Sequence, residues 1–415
     1  MNRPSLLTGR LVLFMGTMIL ANVAGHMYGP LLPLYVQELG AGVGQVGLFF
    51  TLGAVAPLLF QILGGWLSDV IGRLQAIAIG SLAGVAGYAV YILAPSWLWL
   101  LLATMLGAMA TSFVAPSYIA FVAEESAEEA RGRVYGLSQT LFQVVGIVGP
   151  PIGGYLSQFF GFKAMFTVSG VLYTGATLIR LGMARQAWHQ GASSRRKPTV
   201  ADLKASLAAM TGMILAGGVL TWIFLSDGVR DATFNMVSQL LPLYLKNLMW
   251  FSKVQISWLS SIQAMVTMLF LTPAGWLSDR KGERVGIVVG FSLVAIAIAS
   301  FLQSRVFIGF VVAWALFGAG IALIDPAYNS LISKVVPRRL RGTAFGVFTT
   351  SIGFLSLPAP YLGAMLWERF TPQVPFYVPL VTTVLFLPVM WIKFKLPPNR
   401  EGWEEQVQNG RPGDG

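Results

Sequence analysis

From Leu74 to Ala123 the chain carries no Asp, Glu, Lys, Arg or His. A membrane-spanning helix needs about 20 apolar residues. This run is long enough for two, and Ala94-Pro95-Ser96 supplies the turn between them. Leu39 to Ser68 is also free of charge, and Leu11 to Gln37 is broken only by His26. The same pattern predicts twelve spans, near 10–37, 44–68, 74–94, 97–123, 132–158, 163–185, 210–245, 254–278, 284–303, 306–334, 342–367 and 375–395. Charged residues make up only 11% of the 415, whereas a water-facing surface takes about 25%. The solvent of this chain is therefore lipid, and the expected class is an all-α membrane protein. Arg3 and Arg10 before the first run imitate a secretory signal, but the run continues to Val36 and is read as a retained first span.

Orientation follows from the lysine and arginine bias. With the N-terminus in the cytoplasm, 22 of the 28 basic residues fall on that side, Arg180 among them. Lys163, Lys246, Lys253, Arg305 and Arg369 fall opposite, and Arg230 lies inside a span. The expectation is a multi-pass protein of the cell membrane with both termini cytoplasmic. The bases sit in short tracts between apolar runs, so the net charge of +11 points to anionic lipid headgroups and not to nucleic acid. Cysteine is absent, which excludes disulfides and thiolate chemistry. No metal-ligand cluster, catalytic triad or phosphate loop is present, so no metal, no cofactor and no enzymatic activity is expected.

Shifted by 210 residues, the sequence matches itself. Gly65-Trp66-Leu67-Ser68-Asp69 and Gly72 return as Gly275-Trp276-Leu277-Ser278-Asp279 and Gly282. Arg131-Gly132 returns as Arg341-Gly342, Pro116 and Tyr118 as Pro326 and Tyr328, and Pro150 and Gly153 as Pro360 and Gly363. At a shift of 209, Leu31-Leu32-Pro33-Leu34-Tyr35 returns as Leu240-Leu241-Pro242-Leu243-Tyr244. Each half has an even number of spans, so both begin on the same side. Parallel repeats of this kind place a substrate site between the halves, near mid-membrane. The expected organisation is an N-terminal six-helix bundle over 1–186, a cytoplasmic linker over 187–208, a second bundle over 209–396, and a disordered cytoplasmic tail over 397–415.

These motifs resemble the major facilitator superfamily along essentially the whole chain. The segment Gly65 to Arg73 is similar to that family's G-x-L-x-D-x-x-G-R loop signature, and Gly275 to Arg284 repeats it. Gly149-Pro150-x-x-Gly153-Gly154 and the Pro30 to Tyr35 segment resemble the drug and proton antiporter branch. The resemblance implies a monomeric carrier of two pseudo-symmetric bundles that rock about a central site. It also assigns a conformational latch to Gly65, Asp69, Gly72 and Arg73 with Gly275, Asp279, Gly282 and Arg284. Asp69 would face the start of span 11 (Gly342, Thr343) and Asp279 the start of span 5 (Gly132, Arg133), where helix N-termini favour negative charge. Two departures stand out. The branch carries an arginine on span 4, four residues before a glycine, where this chain has Ala103 before Gly107. Span 1 also lacks the usual acid.

Ionisable groups at membrane depth cost about 2.5–3.5 kcal/mol each on insertion scales and persist where they have work or partners. Span 7 carries Asp227, Arg230 and Asp231 at i, i+3 and i+4, with Asn235 one turn on. Span 1 carries Asn22 and His26, and span 4 Tyr118. Gln139 and Gln143 lie on span 5, Gln263 on span 8, and Asp325, Tyr328 and Asn329 on span 10. Spans 3, 6 and 9 have almost no strongly polar interior residues, so the thirteen side chains named here are the candidate cavity set. The expected function is secondary transport by alternating access: a proton-coupled exporter of small amphipathic compounds, with protons as partner and Asp325 as the first candidate proton carrier. The alternatives are a nutrient or metabolite importer of the same fold, and a non-transporting membrane sensor.

Overall fold

The computed structural model describes residues 8–126, 130–188, 219–335 and 353–394, without the side chains of 61–70, 187–188, 219–220 and 335. Several expectations lie outside these residues: the contacts of Gly65 and Asp69, the start of span 11 at Gly342 and Thr343, the linker and the tail.

Every regular element among the described residues is a helix. In chain order they are α1 (Gly9–Tyr28), α2 (Leu32–Glu38), α3 (Val43–Ile71), α4 (Arg73–Leu93), α5 (Trp97–Glu125), α6 (Arg131–Phe159) and α7 (Gly161–Trp188). After these come α8 (Val219–Ser238), α9 (Leu241–Asn247), α10 (Lys253–Lys281), α11 (Glu283–Gln303), α12 (Phe307–Val335), α13 (Ala359–Arg369) and α14 (Val374–Lys393). Predicted span 1 is thus α1 and α2, joined by a 3-10 turn at Gly29–Leu31 where Pro30 and Pro33 withdraw their amide donors. Span 7 is α8 and α9, broken at the equivalent Leu-Leu-Pro. Nine stretches among the described residues are long and apolar enough to cross a membrane. α6 and α8 are not among them, because they carry the polar residues read above as cavity lining.

The repeat governs the helix boundaries. α3, α4 and α5 begin and end 210 residues before α10, α11 and α12 at every boundary, and α2 ends 209 before α9. Gly72 and Gly282 both sit just before the next helix with φ of +103° and +89°. A side chain in that conformation is strained, so the glycine of the loop signature is fixed by backbone geometry. Close helix crossings repeat as well. A Cβ built on Gly80 would lie 2.8 Å from Phe113 Cβ and 3.1 Å from the Ala110 carbonyl. One built on Gly290 would lie 2.7 Å from Ile324 Cγ1 and 2.9 Å from the Gly320 carbonyl. Small residues let backbones approach in lipid, where dispersion rather than the hydrophobic effect joins helices.

The described chain forms two compact units. The first holds residues 1–197, 238–265 and 360–372. Within it α1 packs on α6 and α7, and α4 on α5 and α7. Its core gathers Leu11, Phe14, Met15, Ile77, Val114, Tyr118, Phe121 and Val134. The Gly-Pro segment of α6 is a packing surface here. Gly149 lies against the His26 side chain, Gly153 against the Met27 carbonyl, and Gly154 against Ser257 of α10. The second unit holds residues 198–237, 266–359 and 373–415, and in it α11 packs on both α12 and α14.

A Cβ at Gly153 would collide with the Met27 carbonyl, whereas one at Gly107 meets nothing within 4 Å. Gly153→Ala is expected to cost at least about 1–3 kcal/mol through overpacking. Gly107→Ala is expected to be neutral or stabilising by about 0.5–1 kcal/mol. Thermal unfolding of the two purified variants, followed by intrinsic fluorescence, checks the contrast.

Candidate functional site

In the second unit the polar groups of α8 converge on Arg230. Its Nη2 lies 2.6 Å from Asp227 Oδ1, an ion pair without the alignment of a hydrogen bond. Nε and Nη2 donate to Asp231 Oδ1 at 3.0 and 2.7 Å. The guanidinium carbon stands 5.5 Å from the Phe291 ring centre and 5.4 Å from that of Tyr328, and those two rings lie edge to face with centres 6.2 Å apart, so a pair of aromatic rings covers one side of the charge. One cation therefore serves two carboxylates on the same helical face. Asp325 of α12 is exposed, lies within electrostatic reach of Arg230 and Asp231, and makes no ion pair with a described residue. The set Asp227, Arg230, Asp231 and Asp325 holds three carboxylates to one guanidinium, a formal charge of two negative. Asn235 turns back on its own helix, donating to the Asp231 carbonyl at 2.9 Å. Asn329 is exposed, one turn beyond Asp325.

In the first unit a cavity of about 340 Å³ opens among α1, α4, α5 and α7. Asn22 and His26 lie on its wall, together with Tyr28, Tyr88, Tyr91 and Tyr173. Ala103 and Gly107, where the resembled branch carries its arginine motif, line it too. Asn22 donates to the Met18 carbonyl at 2.8 Å, and His26 Nδ1 lies 3.0 Å from the Asn22 carbonyl. Of the other expected cavity residues in this unit, Gln139 is exposed and Gln143 and Gln263 are half-buried. Tyr118 is a correction. It is 5% exposed in the packed core, donates to Ser138 Oγ at 2.7 Å and lies against Phe14 and Phe142.

Arg180 is a second correction. Counted above as a cytoplasmic base, it is 1% exposed inside the first unit. Nε donates to Thr17 Oγ1 at 3.1 Å, Nη1 to Ser81 Oγ at 2.9 Å and Nη2 to the Thr17 carbonyl at 3.2 Å and to Met18 Sδ at 3.1 Å. No carboxylate pairs with it among the described residues. The signal was present in the sequence, since Arg180 falls inside predicted span 6 among Leu178, Ile179 and Leu181. The positive-inside count absorbed it.

The loop signatures carry ion pairs of opposite sense. Arg73 Nε lies 3.6 Å from Glu124 Oε1. At the repeat-equivalent positions Glu283 pairs with Lys334, and Ser330 donates to the same carboxylate at 2.9 Å. The pair is kept while its charges are exchanged. Arg284 does something else: it donates to the Trp391 carbonyl at 3.0 Å and covers the Trp391 ring. Gly275 is half-buried and Asp279 exposed. At the other end of the first unit, Lys253 Nζ sits 3.2 Å from Glu38 Oε2 and 3.8 Å over the Phe162 ring, and Glu368 accepts from the Gly44 amide at 2.7 Å.

The profile of the Major Facilitator Superfamily matches residues 12–252 and 223–412. The chain belongs to this superfamily. It is similar to a multi-drug resistance efflux pump PmrA homolog of Lactococcus lactis, at 26% identity over 86% of this chain and 87% of the relative. The efflux pump PmrA of Streptococcus pneumoniae is 24% identical over 84% of this chain and 86% of its own length. Among solved structures, a bacterial homologue of the iron transporter ferroportin in an inward-facing state superposes with a TM-score of 0.74 at 14% identity, covering 92% of this chain and 98% of that one. A peptide transporter superposes at 0.71 and 14% identity, covering 92% and 93%. These likenesses establish the fold: two pseudo-symmetric six-helix bundles of a membrane transporter.

Removing one partner of a buried ion pair costs about 3–5 kcal/mol, because the other charge is left uncompensated. Arg230→Gln is therefore expected to lower the yield of folded protein sharply. Arg230→Gln with Asp227→Asn is expected to recover most of it, because fewer like charges then share the face. Size-exclusion profiles and melting temperatures of the single and double variants check this order.

Proposed function

We propose that this transporter is a proton-coupled exporter of small amphipathic compounds, working by alternating access of two six-helix bundles, residues 1–186 and 209–396. The carrying observation is the charge imbalance around Arg230. With Asp227 and Asp231 both held by one guanidinium, Asp325 is the carboxylate left over. A proton or the cationic part of a substrate neutralises the excess, so either ligand is favoured at the same place and each tends to displace the other. That competition is what exchange of substrate against protons requires. The two relatives named as efflux pumps support the outward direction. The protein works as a monomer in the cell membrane with cytoplasmic termini. Asp69 and Asp279 latch its cytoplasmic side.

Proteoliposomes loaded with ethidium test the coupling. An imposed pH gradient is expected to drive ethidium movement. Asp325→Asn is expected to abolish the pH-driven component, and Asp231→Asn to reduce transport roughly tenfold or more, both with normal reconstitution. Ethidium flux indifferent to the gradient, or full pH-driven transport by Asp325→Asn, would sink the coupling assignment.

Alternating access also requires the contacts around Lys253 to part. The chain has no native cysteine, so Glu38→Cys with Lys253→Cys introduces a unique pair. A short thiol cross-linker is expected to stop transport by this double variant, and reductive cleavage to restore it.

A further inference from the structure

We infer that the tyrosine-walled cavity of the first unit is a binding site for a planar, uncharged aromatic group carrying a hydrogen-bond acceptor. This rests on the proposed transport function and deepens it by naming uncharged aromatic compounds as a substrate class, held by residues of the first unit.

The wall chemistry selects this ligand. Tyr28, Tyr88, Tyr91 and Tyr173 present rings in tilted and edge-to-face arrangements. Tyr28 lies 5.9 Å from Tyr88 and 5.5 Å from Tyr91, and Tyr88 lies 5.2 Å from Tyr173. Offset rings of this kind accept a further ring by the same quadrupole preference. Phe166 stacks behind Tyr91 at 4.6 Å with an interplanar angle of 8° and stiffens the wall. The Tyr91 hydroxyl is already engaged, 3.3 Å from Thr104 Oγ1. The size lies in the range of sites for one small molecule.

Arg180 decides the charge. No carboxylate is among the described residues that line the cavity, and the buried guanidinium of Arg180 lies within electrostatic reach of Tyr173 on its wall. A cationic ligand would meet that positive charge, which no described carboxylate pairs with. Arg180 Nη1 donates to Ser81 Oγ at 2.9 Å, and the Tyr173 hydroxyl lies within electrostatic reach of the same guanidinium. Tyr173 lines the cavity, so its hydroxyl proton is presented to an acceptor on the ligand. A nearby cation strengthens such a donor. Glycines make the room: Gly84 admits the Tyr173 ring, while Gly25 and Gly107 face open space.

The test is equilibrium dialysis of the full-length protein in lipid nanodiscs, with empty nanodiscs as the blank and no ion gradient. The probes are 7-methoxycoumarin (uncharged, with an acceptor carbonyl), naphthalene (no acceptor) and ethidium (cationic). One saturable methoxycoumarin site per chain is expected. Gly107→Leu should weaken it at least tenfold by filling the cavity and leave ethidium within twofold. Tyr173→Phe, which keeps the ring, should weaken methoxycoumarin about tenfold and naphthalene less than twofold. The inference is overturned if methoxycoumarin shows no saturable binding, if correctly folded Gly107→Leu retains it, or if Gly107→Leu removes ethidium instead. Because no gradient is used, failure of proton coupling leaves this result untouched, and absence of the aromatic site leaves the coupling test untouched.

Discussion

Charge in hydrocarbon must be neutralised or solvated from within, and the two units meet that demand in different ways. In the second, Arg230 gathers Asp227 and Asp231 and is roofed by Phe291 and Tyr328. In the first, no described carboxylate pairs with Arg180, which is held by hydroxyls, a carbonyl and a sulfur. A guanidinium suits both settings because its five donors are spread over a plane and its charge is weakly hydrated. The consequence is an asymmetric pair of halves built on one symmetric scaffold: one polar centre is net negative, the other positive.

The scaffold keeps what packing requires and varies what chemistry requires. Gly80 and Gly290 occupy equivalent crossings, and Gly72 and Gly282 equivalent turns, because neither place tolerates a side chain. Arg73–Glu124 and Glu283–Lys334 keep an ion pair across the same helix ends while exchanging its sign. Either order satisfies the local electrostatics, so the repeat constrains the pair and not the identity of each partner. The aromatic cavity, by contrast, depends on tyrosines of α1, α4 and α7 in the first unit.

The small residues of α6 show how one motif sets both a helix crossing and the shape of a neighbouring cavity. Gly149 and Gly153 bring α6 onto α1 at His26 and Met27, and Gly154 brings it onto α10 at Ser257. That approach sets the position of His26, which lines the cavity. A packing surface and a cavity wall are therefore two faces of one helix contact.

The sequence by itself determined the solvent, the span pattern, the repeat and the family, because each is written in local composition or in fixed residue offsets. It also singled out Asp227, Arg230 and Asp231, since i, i+3 and i+4 spacing puts side chains on one face whatever surrounds the helix. Only the tertiary structure decided which neighbours those groups have. Tyr118 looked like a cavity residue, yet helix rotation placed it against Phe14 and Ser138. Arg180 looked like a cytoplasmic base, yet it reaches Thr17 and Ser81 on two other helices. The four tyrosines come from three helices spread over some 145 residues of chain. No periodicity within one helix announces a wall assembled from several, because it exists only once the helices have been brought together.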